Sequence, residues 1–377
     1  MPTIMLVAGE ASGDLHGATL CQALRLLSPG SRLLGMGGPR MAKAGMELLI
    51  DVTASAAVGG TEAFGRVPAL YRAYRTLRAV VEGADRPGVL VLIDFPEFNL
   101  RLARAARRAG VPVVYFIPPQ LWAWRGWRMK TMRRLVSLVL AVLPFEPPLY
   151  RRAGVPVEFV GHPVLDALVA APARDAARRE LGVEGPGPVI GILPGSRREE
   201  IERVLPAMRQ AVARIGAAHP GARFLLAQAP TIDRAVIERS AAGGPAITVV
   251  SDRTYAVMRA ADLLLVTSGT ATLEAALLGT PMVVCYRVSQ LTYSAFRPLV
   301  RVPWISLANL TLGRAVVPEL YQKAMTGEAL AREALRVLDT PGALQAQRRA
   351  FAELAGLLGE PGVGARAARL VLARARA

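Results

Sequence analysis

The sequence predicts an α/β protein built from two facing domains, each a doubly wound parallel sheet. Along the 377 residues, short apolar runs alternate with helical stretches, and such alternation favours parallel strands joined by helical crossovers. Each half also holds a tight turn of small residues between an apolar run and a helix, at residues 9–14 and 267–274. The chain length is more typical of two domains than of one.

The first half supplies its elements in a regular order. Thr3–Ala8 is short and apolar, as expected of a buried strand, and a helix over residues 15–27 ends at the stop signal Ser28-Pro29-Gly30. We place the first domain at residues 1–169. Its other predicted strands cover 32–35, 89–93, 111–117 and 138–143, and its other predicted helices cover 71–81 and 100–109.

A second alternating series follows residues 170–188, a stretch rich in proline, glycine and alanine that we interpret as a linker. The second domain is placed at 189–350, and residues 330–377 are predicted to be mostly helical. The predicted strands of this domain cover 189–193, 223–227, 247–250, 263–266 and 282–286, with a helix over 201–217.

Composition limits the class of protein. No apolar run is long enough to span a bilayer, and the N-terminus lacks the basic region of a signal peptide. Cys21 and Cys285 fall in different predicted domains, so neither a disulfide framework nor a cysteine metal site is expected. These features favour a cytoplasmic location, and no spacing of histidine, cysteine and carboxylate residues indicates a bound metal.

The net charge of +17 comes mostly from arginine, and a GC-rich genome is one explanation for it. A second explanation is local, because no acidic residue lies between Glu97 and Glu146, where nine basic residues are interleaved with Trp122, Trp124 and Trp127. Arginine beside tryptophan suits an anionic membrane surface as well as nucleic acid. No nucleic-acid-binding motif is present, so we expect contact with a membrane and no nucleic-acid partner.

The first small-residue turn carries several polar groups. Glu10, Ser12, Gly13 and Asp14 form a strand-to-helix turn, which aims backbone N–H groups at a ligand. Ser12 and Asp14 are also explained as caps of the helix that follows. His16, one of three histidines, is a candidate catalytic residue by its position, and a structural role is an equal alternative.

Asp94 directly follows the predicted strand Val89–Ile93. A carboxylate at the carboxyl end of a parallel strand lies where α/β folds bind ligands, and there it is a candidate general base for a substrate hydroxyl. The alternative is an N-cap for the helix that starts near Pro96. His162 lies near the domain junction as a candidate hinge or cleft residue.

The segment 193–200 begins the candidate site of the second domain. Its small residues permit close backbone approach, and Arg197, which lies closer to the turn than Arg198, is suited to a bidentate contact with phosphate. The segment is not a P-loop, because the Gly-Lys-Ser/Thr ending is absent. Ser196 is also explained as an N-cap, with Glu199 completing a capping box.

Ser268, Gly269 and Thr270 offer hydroxyl and amide groups at another helix start, which suits an anion such as a diphosphate. Glu274 lies one turn further on, where it can accept hydrogen bonds from a ribose diol or interact with the helix dipole. The segment 306–322 contains the polar residues Asn309, Glu319 and Gln322. None of them alone indicates a function.

Taken together and in this order, the motifs resemble the lipid-A-disaccharide synthase family of inverting GT-B glycosyltransferases. The resemblance runs nearly from end to end, although no single motif is specific alone. The motifs occupy residues 7–14, 93–99, 122–125, 143–146, 193–197, 268–274, 309–310 and 319–322.

The resemblance implies transfer of 2,3-diacylglucosamine from UDP-2,3-diacylglucosamine to 2,3-diacylglucosamine 1-phosphate (lipid X), which yields a β-1,6-linked disaccharide and UDP. Asp94 would act as base, and His16 would assist or hold the acceptor. Arg197 and the amides of the turn at 268–270 would bind the diphosphate without a metal or other cofactor, and Ser196 would contribute to the UDP-sugar site. Residues assigned to the rest of the nucleotide are Glu274 at the ribose, with Asn309, Glu319 and Gln322.

The resemblance also implies an architecture and partners. GT-B chains return to the first domain through their last helix, so residues 351–377 are expected to pack on the acceptor-binding domain at 1–169, while 189–350 bind the UDP-sugar. Acylated substrates imply a peripheral protein on the cytoplasmic face of the inner membrane, in contact with anionic lipids. Family members can also form homodimers by exchanging such segments.

The expected lipid entry surface comprises apolar residues between Ala56 and Phe64, with Arg66 and Arg72 nearby. One departure from the family falls here, because Val58 stands where a bulkier residue is expected and a second glycine, Gly60, follows Gly59. The departure bears on acyl-chain length and membrane contact.

Three other interpretations remain open. The peptidoglycan N-acetylglucosaminyltransferase also has a GT-B fold, but its glycine-rich loop differs from the turn at 9–14. A UDP-N-acetylglucosamine epimerase would release no UDP in net turnover. A non-catalytic protein that binds sugar nucleotides or lipids would bind UDP and would be unaffected by Asp94→Ala.

Overall fold

A computed structural model describes residues 2–52, 63–124, 126–241, 246–297 and 302–375. The chain divides into two compact units. The first unit joins Met1–Asp166 to Leu358–Ala377, and the second is the continuous segment Ala167–Leu357. Most of the expected lipid entry surface, including Val58, Gly59 and Gly60, lies outside the described residues.

In the described part of the first unit, seven strands form one sheet in the order β3-β2-β1-β4-β5-β6-β7. Every neighbouring pair is parallel. Strands covered by helices on both faces need apolar residues throughout, as the Val-Leu-Val-Leu-Ile run of the central β4 shows. The strands are β1 Thr3–Ala8, β2 Arg32–Gly37, β3 Glu47–Asp51, β4 Val89–Ile93, β5 Val113–Phe116, β6 Leu138–Ala141 and β7 Val157–Phe159.

Helix α4, Pro96–Arg108, illustrates why these segments form amphipathic helices. Phe98 and Leu102, four residues apart, are buried, whereas Arg104 and Arg107 are exposed on the opposite side. The other helices up to the unit boundary are α1 Ala11–Leu27, α2 Pro39–Lys43, α3 Ala63–Glu82, α5 Leu121–Trp124, α6 Met129–Leu135, α7 Glu146–Arg152 and α8 Val164–Leu168.

The second unit repeats the same topology with a sheet of order β10-β9-β8-β11-β12-β13. Its strands are β8 Val189–Leu193, β9 Arg223–Gln228, β10 Ile247–Ser251, β11 Leu263–Thr267, β12 Met282–Tyr286 and β13 Glu319–Tyr321. Its helices are α9 Arg174–Glu180, α10 Arg198–Ala218, α11 Arg234–Ala241, α12 Thr254–Ala260, α13 Thr270–Leu277, α14 Gln290–Phe296, α15 Leu307–Leu312, α16 Gly327–Asp339 and α17 Ala343–Leu358.

Each sheet reverses its winding direction beside its first strand. In the first unit β1 pairs with β4, and Ala8 lies opposite Ile93. In the second unit β8 pairs with β11, and Leu193 lies opposite Val266. Doubly wound sheets bind ligands beyond the carboxyl ends of the strands at such a reversal, so each unit has one expected site at this edge.

The last helix, α18 Val363–Leu372, packs against α1 in the first unit. The Asp166 carboxylate accepts hydrogen bonds from the backbone N–H groups of Gly362, Val363 and Gly364. Gly364 allows the close approach, because a Cβ there would lie 2.9 Å from Cγ2 of Thr19. The end of the chain is therefore bound into the unit that its beginning forms.

The predicted α/β class with two doubly wound parallel sheets is confirmed, and the differences lie at the edges. The pattern did not predict the strands β3, β7 and β13, which have three to five residues and are partly exposed. Residues 170–188 belong to the second unit and contain α9, and the predicted division at 350/351 falls inside α17. None of the helices in the described ranges is both long and apolar enough to span a membrane.

Candidate active site

The turn after β1 is already part of a helix. Helix α1 begins at Ala11, so Ser12, Gly13 and Asp14 lie in its first turn and Glu10 is the N-cap residue, without a side-chain capping bond. The alternative in which Ser12 caps this helix is therefore wrong. Gly13 allows α1 to approach the sheet, because a Cβ on it would lie 3.2 Å from a side-chain carbon of β1.

The Asp14 carboxylate caps a different helix from the one expected. It accepts hydrogen bonds from the backbone N–H groups of Gly38 at 2.8 Å, Arg40 at 3.2 Å and Met41 at 3.0 Å, at the start of α2. The side chain is 4% exposed. Asp14 therefore joins the first helix to the segment after β2.

Asp94 has an uncommon backbone conformation at the carboxyl end of β4. Its φ is +47°, and Phe95 follows with φ +46°, so two consecutive residues with side chains lie in the left-handed region, at a cost of about 1–3 kcal/mol each. Phe95, rather than Asp94, is the N-cap residue of α4, which contradicts the capping alternative. Strain of this kind is concentrated at functional sites.

Neighbouring side chains hold this strained segment. The Tyr115 hydroxyl and the Asn99 side-chain amide each donate to the Asp94 backbone carbonyl at 2.7 Å. The Phe95 ring lies over Gly9, where a Cβ would come within 2.2 Å of it. The turn after β1 and the turn after β4 are therefore packed together, as their neighbouring positions at the reversal predict.

His16 and His162 form a buried pair in the first unit. Their rings meet edge to face with centroids 6.4 Å apart, and the side chains are 7% and 6% exposed. Burial, reinforced by nearby Arg40, lowers the pKa of His16 to about 4. Burial, followed by the charge of His16, lowers the pKa of His162 to about 3. Both imidazoles are therefore neutral at pH 7, and the same burial makes each of them a weak base.

Glu146 is a buried carboxylate beyond β6. One oxygen accepts from the Trp122 indole N–H at 3.2 Å, and the other accepts from the backbone N–H groups of Val142 and Leu143. Burial raises the pKa of Glu146 to about 7, although these three donors oppose the shift. The carboxylate holds Trp122 beside Phe145, with ring centroids 4.8 Å apart.

In the second unit, the turn after β8 differs from the expected capping box. Helix α10 begins at Arg198, with Arg197 at the N-cap position, so Ser196 is not the cap. Glu200, rather than Glu199, reaches back to the Ser196 N–H at 3.3 Å. The Arg197 guanidinium lies 3.3 Å from Glu200 and is 66% exposed, so the side chain that follows β8 is accessible from solvent.

The turn after β11 begins α13, with Gly269 as N-cap residue and Thr270 in the first helical position. The first N–H groups of a helix lack intrahelical partners and favour an anion. Ser268 serves the turn itself, because its hydroxyl donates to the Ile305 carbonyl at 2.6 Å and its backbone N–H donates to the Cys285 carbonyl at 2.9 Å.

Glu274 lies on α13 beside Tyr255, whose hydroxyl donates to its carboxylate at 2.9 Å. Burial raises the pKa of Glu274, and the Tyr255 hydrogen bond opposes that shift. Glu274 lies beyond the first turn of α13, where the helix dipole is weaker. This position weakens the dipole interpretation, and a contact between Glu274 and ribose stays a prediction.

Asn309 and Glu319 belong to a local network of hydrogen bonds. The Asn309 amide nitrogen donates to the Val317 carbonyl and to Glu319, and its oxygen accepts from the N–H groups of Val316 and Val317. Glu319 also accepts from the backbone N–H groups that precede α15. This network orders the polypeptide between β12 and β13.

Gln322 directly follows β13. Its side-chain oxygen accepts from the Val288 N–H at 2.8 Å, and its side-chain nitrogen donates to the Val288 carbonyl at 3.4 Å. The amide therefore ties the end of β13 to the end of β12.

Sequence reasoning did not assign roles to several residues that hold the site. Tyr115 lies inside a strand and carries no pattern of its own, and Asn99 is known only as the last residue of the motif at 93–99. Tyr255 and Glu200 are likewise identified by contacts. Each contact joins residues of different elements or displaces a local pattern by one residue.

Comparison with known proteins gives a consistent result. Residues 4–356 match the family model described as lipid-A-disaccharide synthetase. The chain is 44% identical over 370 residues to the lipid-A-disaccharide synthase of Geobacter sulfurreducens, covering 98% of this chain and 96% of that protein. It is also 44% identical over 375 residues to the lipid-A-disaccharide synthase of Myxococcus xanthus, with 98% and 97% covered.

Similar solved structures share the fold at low sequence identity. A UDP-GlcNAc 2-epimerase from Neisseria meningitidis, solved with UDP-GlcNAc, has a TM-score of 0.65 at 12% identity and covers 98% of this chain and 100% of that one. A glycosyltransferase of kitacinnamycin has a TM-score of 0.64 at 18% identity, covering 100% and 99%. At such identities the similarity shows a shared fold.

Proposed function

Because this chain belongs to the lipid-A-disaccharide synthase family, we propose roles for its residues in the reaction of that family. The enzyme is a UDP-sugar-dependent glycosyltransferase of lipid A biosynthesis and forms the lipid A disaccharide. The epimerase and the non-catalytic binding protein are therefore set aside, as is the peptidoglycan transferase. The roles of individual residues and the identity of the acceptor are the proposal.

Asp94 is proposed as the general base that removes the proton from the acceptor hydroxyl. The observation that carries this role is its left-handed backbone at the carboxyl end of β4, with φ +47°, because such strain persists only where the surroundings enforce it. A positioned base typically contributes about 10²–10⁴-fold in rate. His16, a neutral and buried imidazole, assists at the same end of the sheet.

The UDP group is assigned to the carboxyl edge of the second sheet. The exposed Arg197 guanidinium and the start of α13 at Gly269 and Thr270 supply positive charge and N–H donors for a diphosphate. Glu274 accepts from the ribose hydroxyls. These groups neutralise the charge that develops on the leaving UDP, so we propose that the reaction needs no metal.

The acceptor is proposed to be lipid X, whose acyl chains would be presented at the cytoplasmic face of the inner membrane. Support comes from the exposed Arg72 and Arg75 of α3 and Arg101 and Arg104 of α4, with Trp127 69% exposed. Such groups suit anionic headgroups and the membrane interface.

A homodimer, proposed from the family resemblance, is tested by light scattering of the purified protein.

The experiment measures UDP release from UDP-2,3-diacylglucosamine with and without lipid X, for the wild type, Asp94→Asn and Asp85→Asn. Asp85 is exposed in the turn after α3, so its variant controls for loss of a carboxylate. Release that needs lipid X, falls at least about 100-fold in Asp94→Asn and persists in Asp85→Asn supports the proposal. An Asp94→Asn enzyme as fast as the wild type refutes the role of the base.

A parallel measurement concerns the donor side. Arg197→Ala is expected to raise KM for the UDP-sugar about 10- to 100-fold, the usual loss for a charge-assisted hydrogen bond. Arg214→Ala, at an exposed position near the other end of α10, is the control. Equal KM values in the two variants contradict the phosphate role, and loss of activity on treatment with EDTA contradicts the metal-free reaction.

A further inference from the structure

The backbone carbonyl of Asp94 is the meeting point of two buried donors. The Tyr115 hydroxyl and the Asn99 amide both lie 2.7 Å from this oxygen. Tyr115 and Asn99 are 0% exposed, so water does not compete for these bonds. Two donors on one carbonyl oxygen occupy both of its lone pairs and fix the direction of the C=O bond.

Fixing this carbonyl fixes the local backbone. Asp94 and Phe95 both have φ near +46°, a region that residues with side chains leave unless the surroundings hold them there. The direction of the Cα–Cβ bond follows from φ and ψ, and the carboxylate is only one further bond away. Release of the carbonyl would let the segment relax and would redirect the carboxylate.

Asn99 buries a polar atom at a cost in free energy, which argues against a role in packing alone. Its Oδ1 atom is buried without a hydrogen-bond partner among the described residues, and a buried acceptor left unpaired is unfavourable. Its nitrogen, in contrast, donates to Asp94 and lies 3.3 Å from the Ile93 carbonyl. A leucine of similar size would fill the space without this loss, so the donor nitrogen is the useful part of the side chain.

We propose that Tyr115 and Asn99 are positioning residues for sugar transfer, which hold the Asp94 carbonyl and thereby aim its carboxylate. The inference rests on the proposed function of Asp94 as base. Neither residue contacts substrate or exchanges a proton in this scheme. They affect the reaction only by fixing the backbone of Asp94.

The first arm of the test compares two tyrosines of the same core. Tyr150 is also 0% exposed, and its hydroxyl donates to the Pro119 carbonyl at 3.3 Å. Tyr115→Phe is expected to lower kcat on the order of 10- to 100-fold with KM for both substrates unchanged, because misplacement of a reacting group by about 1 Å costs this much. Tyr150→Phe, which loses a comparable hydroxyl, is expected to retain the wild-type kcat.

The second arm asks whether Tyr115 acts through Asp94. In an Asp94→Asn background, Tyr115→Phe is expected to leave the residual rate unchanged, since there is no carboxylate left to aim. A further fall by the same factor as in the wild-type background overturns the inference. Asn99→Leu provides a second variant, for which the same loss of kcat and the same lack of effect in Asp94→Asn are expected.

The outcomes distinguish a failure of the positioning role of Tyr115 and Asn99 from a failure of Asp94 as the base. An inactive Asp94→Asn with a fully active Tyr115→Phe overturns the positioning role and leaves the base in place. An active Asp94→Asn overturns the base and, with it, the positioning role. Equal losses of kcat in Tyr115→Phe and Tyr150→Phe show a general effect on the core and also overturn the inference.

Discussion

Buried carboxylates in the first unit are held mainly by backbone N–H groups. Asp14 accepts from three such groups in the segment 38–41, and Glu146 accepts from two, in addition to an indole. These carboxylates organise turns, whereas Asp94 lies at a turn that its neighbours organise.

Asp14→Ala is expected to lower the free energy of unfolding by about 2–4 kcal/mol, because it leaves three backbone N–H groups at the start of α2 without an acceptor. Urea denaturation followed by circular dichroism measures the change. Asp85→Ala, at an exposed turn position, is the control and is expected to change the free energy by less than about 0.5 kcal/mol. Equal effects in the two variants would contradict the capping role of Asp14.

Glu146 is expected to make stability depend on pH. Its pKa rises from 4.5 to about 7 on folding, so the folded protein binds the proton more tightly than the unfolded chain between these values. The free energy of unfolding therefore falls as pH rises through this window, by up to about 3 kcal/mol, and the loss is complete above it.

Glu146→Gln removes this titration. As the pH is raised from 4.5 to 8, the wild type is expected to lose up to about 3 kcal/mol of its free energy of unfolding that the variant keeps. Denaturation at both pH values measures the difference. A constant offset between the two proteins would show that Glu146 does not titrate in this range.

At the scale of elements, both ends of the second sheet are tied by side chains. At the edge opposite the candidate site, Asp262 accepts hydrogen bonds from Arg174, from Arg178 at 2.7 Å and from the Val189 N–H at 2.8 Å. This carboxylate therefore joins helix α9 to the first residue of β8. The helix that follows the unit boundary is bound to the sheet rather than free.

Asp262→Ala is expected to increase hydrogen exchange in α9 and at the start of β8, with a loss of about 2 kcal/mol in local opening free energy. Glu180→Ala is the matched control on the same helix, since Glu180 forms a more exposed ion pair with Arg253 and such pairs contribute little. Unchanged exchange in Asp262→Ala would contradict the anchoring role.

The sequence predicted long elements better than the contacts between them. Buried strands such as β4 and β11 are recognisable from their apolar runs alone. Asp14 acts on a segment 24 residues away, which no local pattern records. The Ser196 capping pattern fits its sequence, but Gly195 before it has φ +116° and the helix starts at Arg198 with Arg197 as N-cap residue, so the capping-box prediction failed by one residue.

At the scale of the whole molecule, the first unit is discontinuous in sequence. Its two segments are joined where Asp166 receives three N–H groups from the start of α18. Arg366 adds a hydrogen bond to the Val160 carbonyl at 3.0 Å. The last helix is thus fixed both at its N-terminus and along its face.

Asp166→Ala is expected to speed tryptic cleavage within residues 359–375 by about tenfold, because charged acceptors of N–H groups contribute about 1.5–3 kcal/mol. Asp233→Ala removes an exposed carboxylate that accepts from the Ala235 N–H at 2.9 Å in the second unit, and it serves as control. Cleavage that is no faster than in Asp233→Ala would contradict the role of Asp166 in holding the helix.

The return of α18 to the first unit also determines the order in which the protein can be completed during synthesis. The second unit is one continuous segment, Ala167–Leu357, so all of its residues are present before α18 has been made. The first unit begins the chain, yet it lacks α18 until translation of residues 363–372 is finished. Although domains usually fold from the N-terminus onward as the ribosome releases them, here the unit synthesised first is the last to acquire all of its parts.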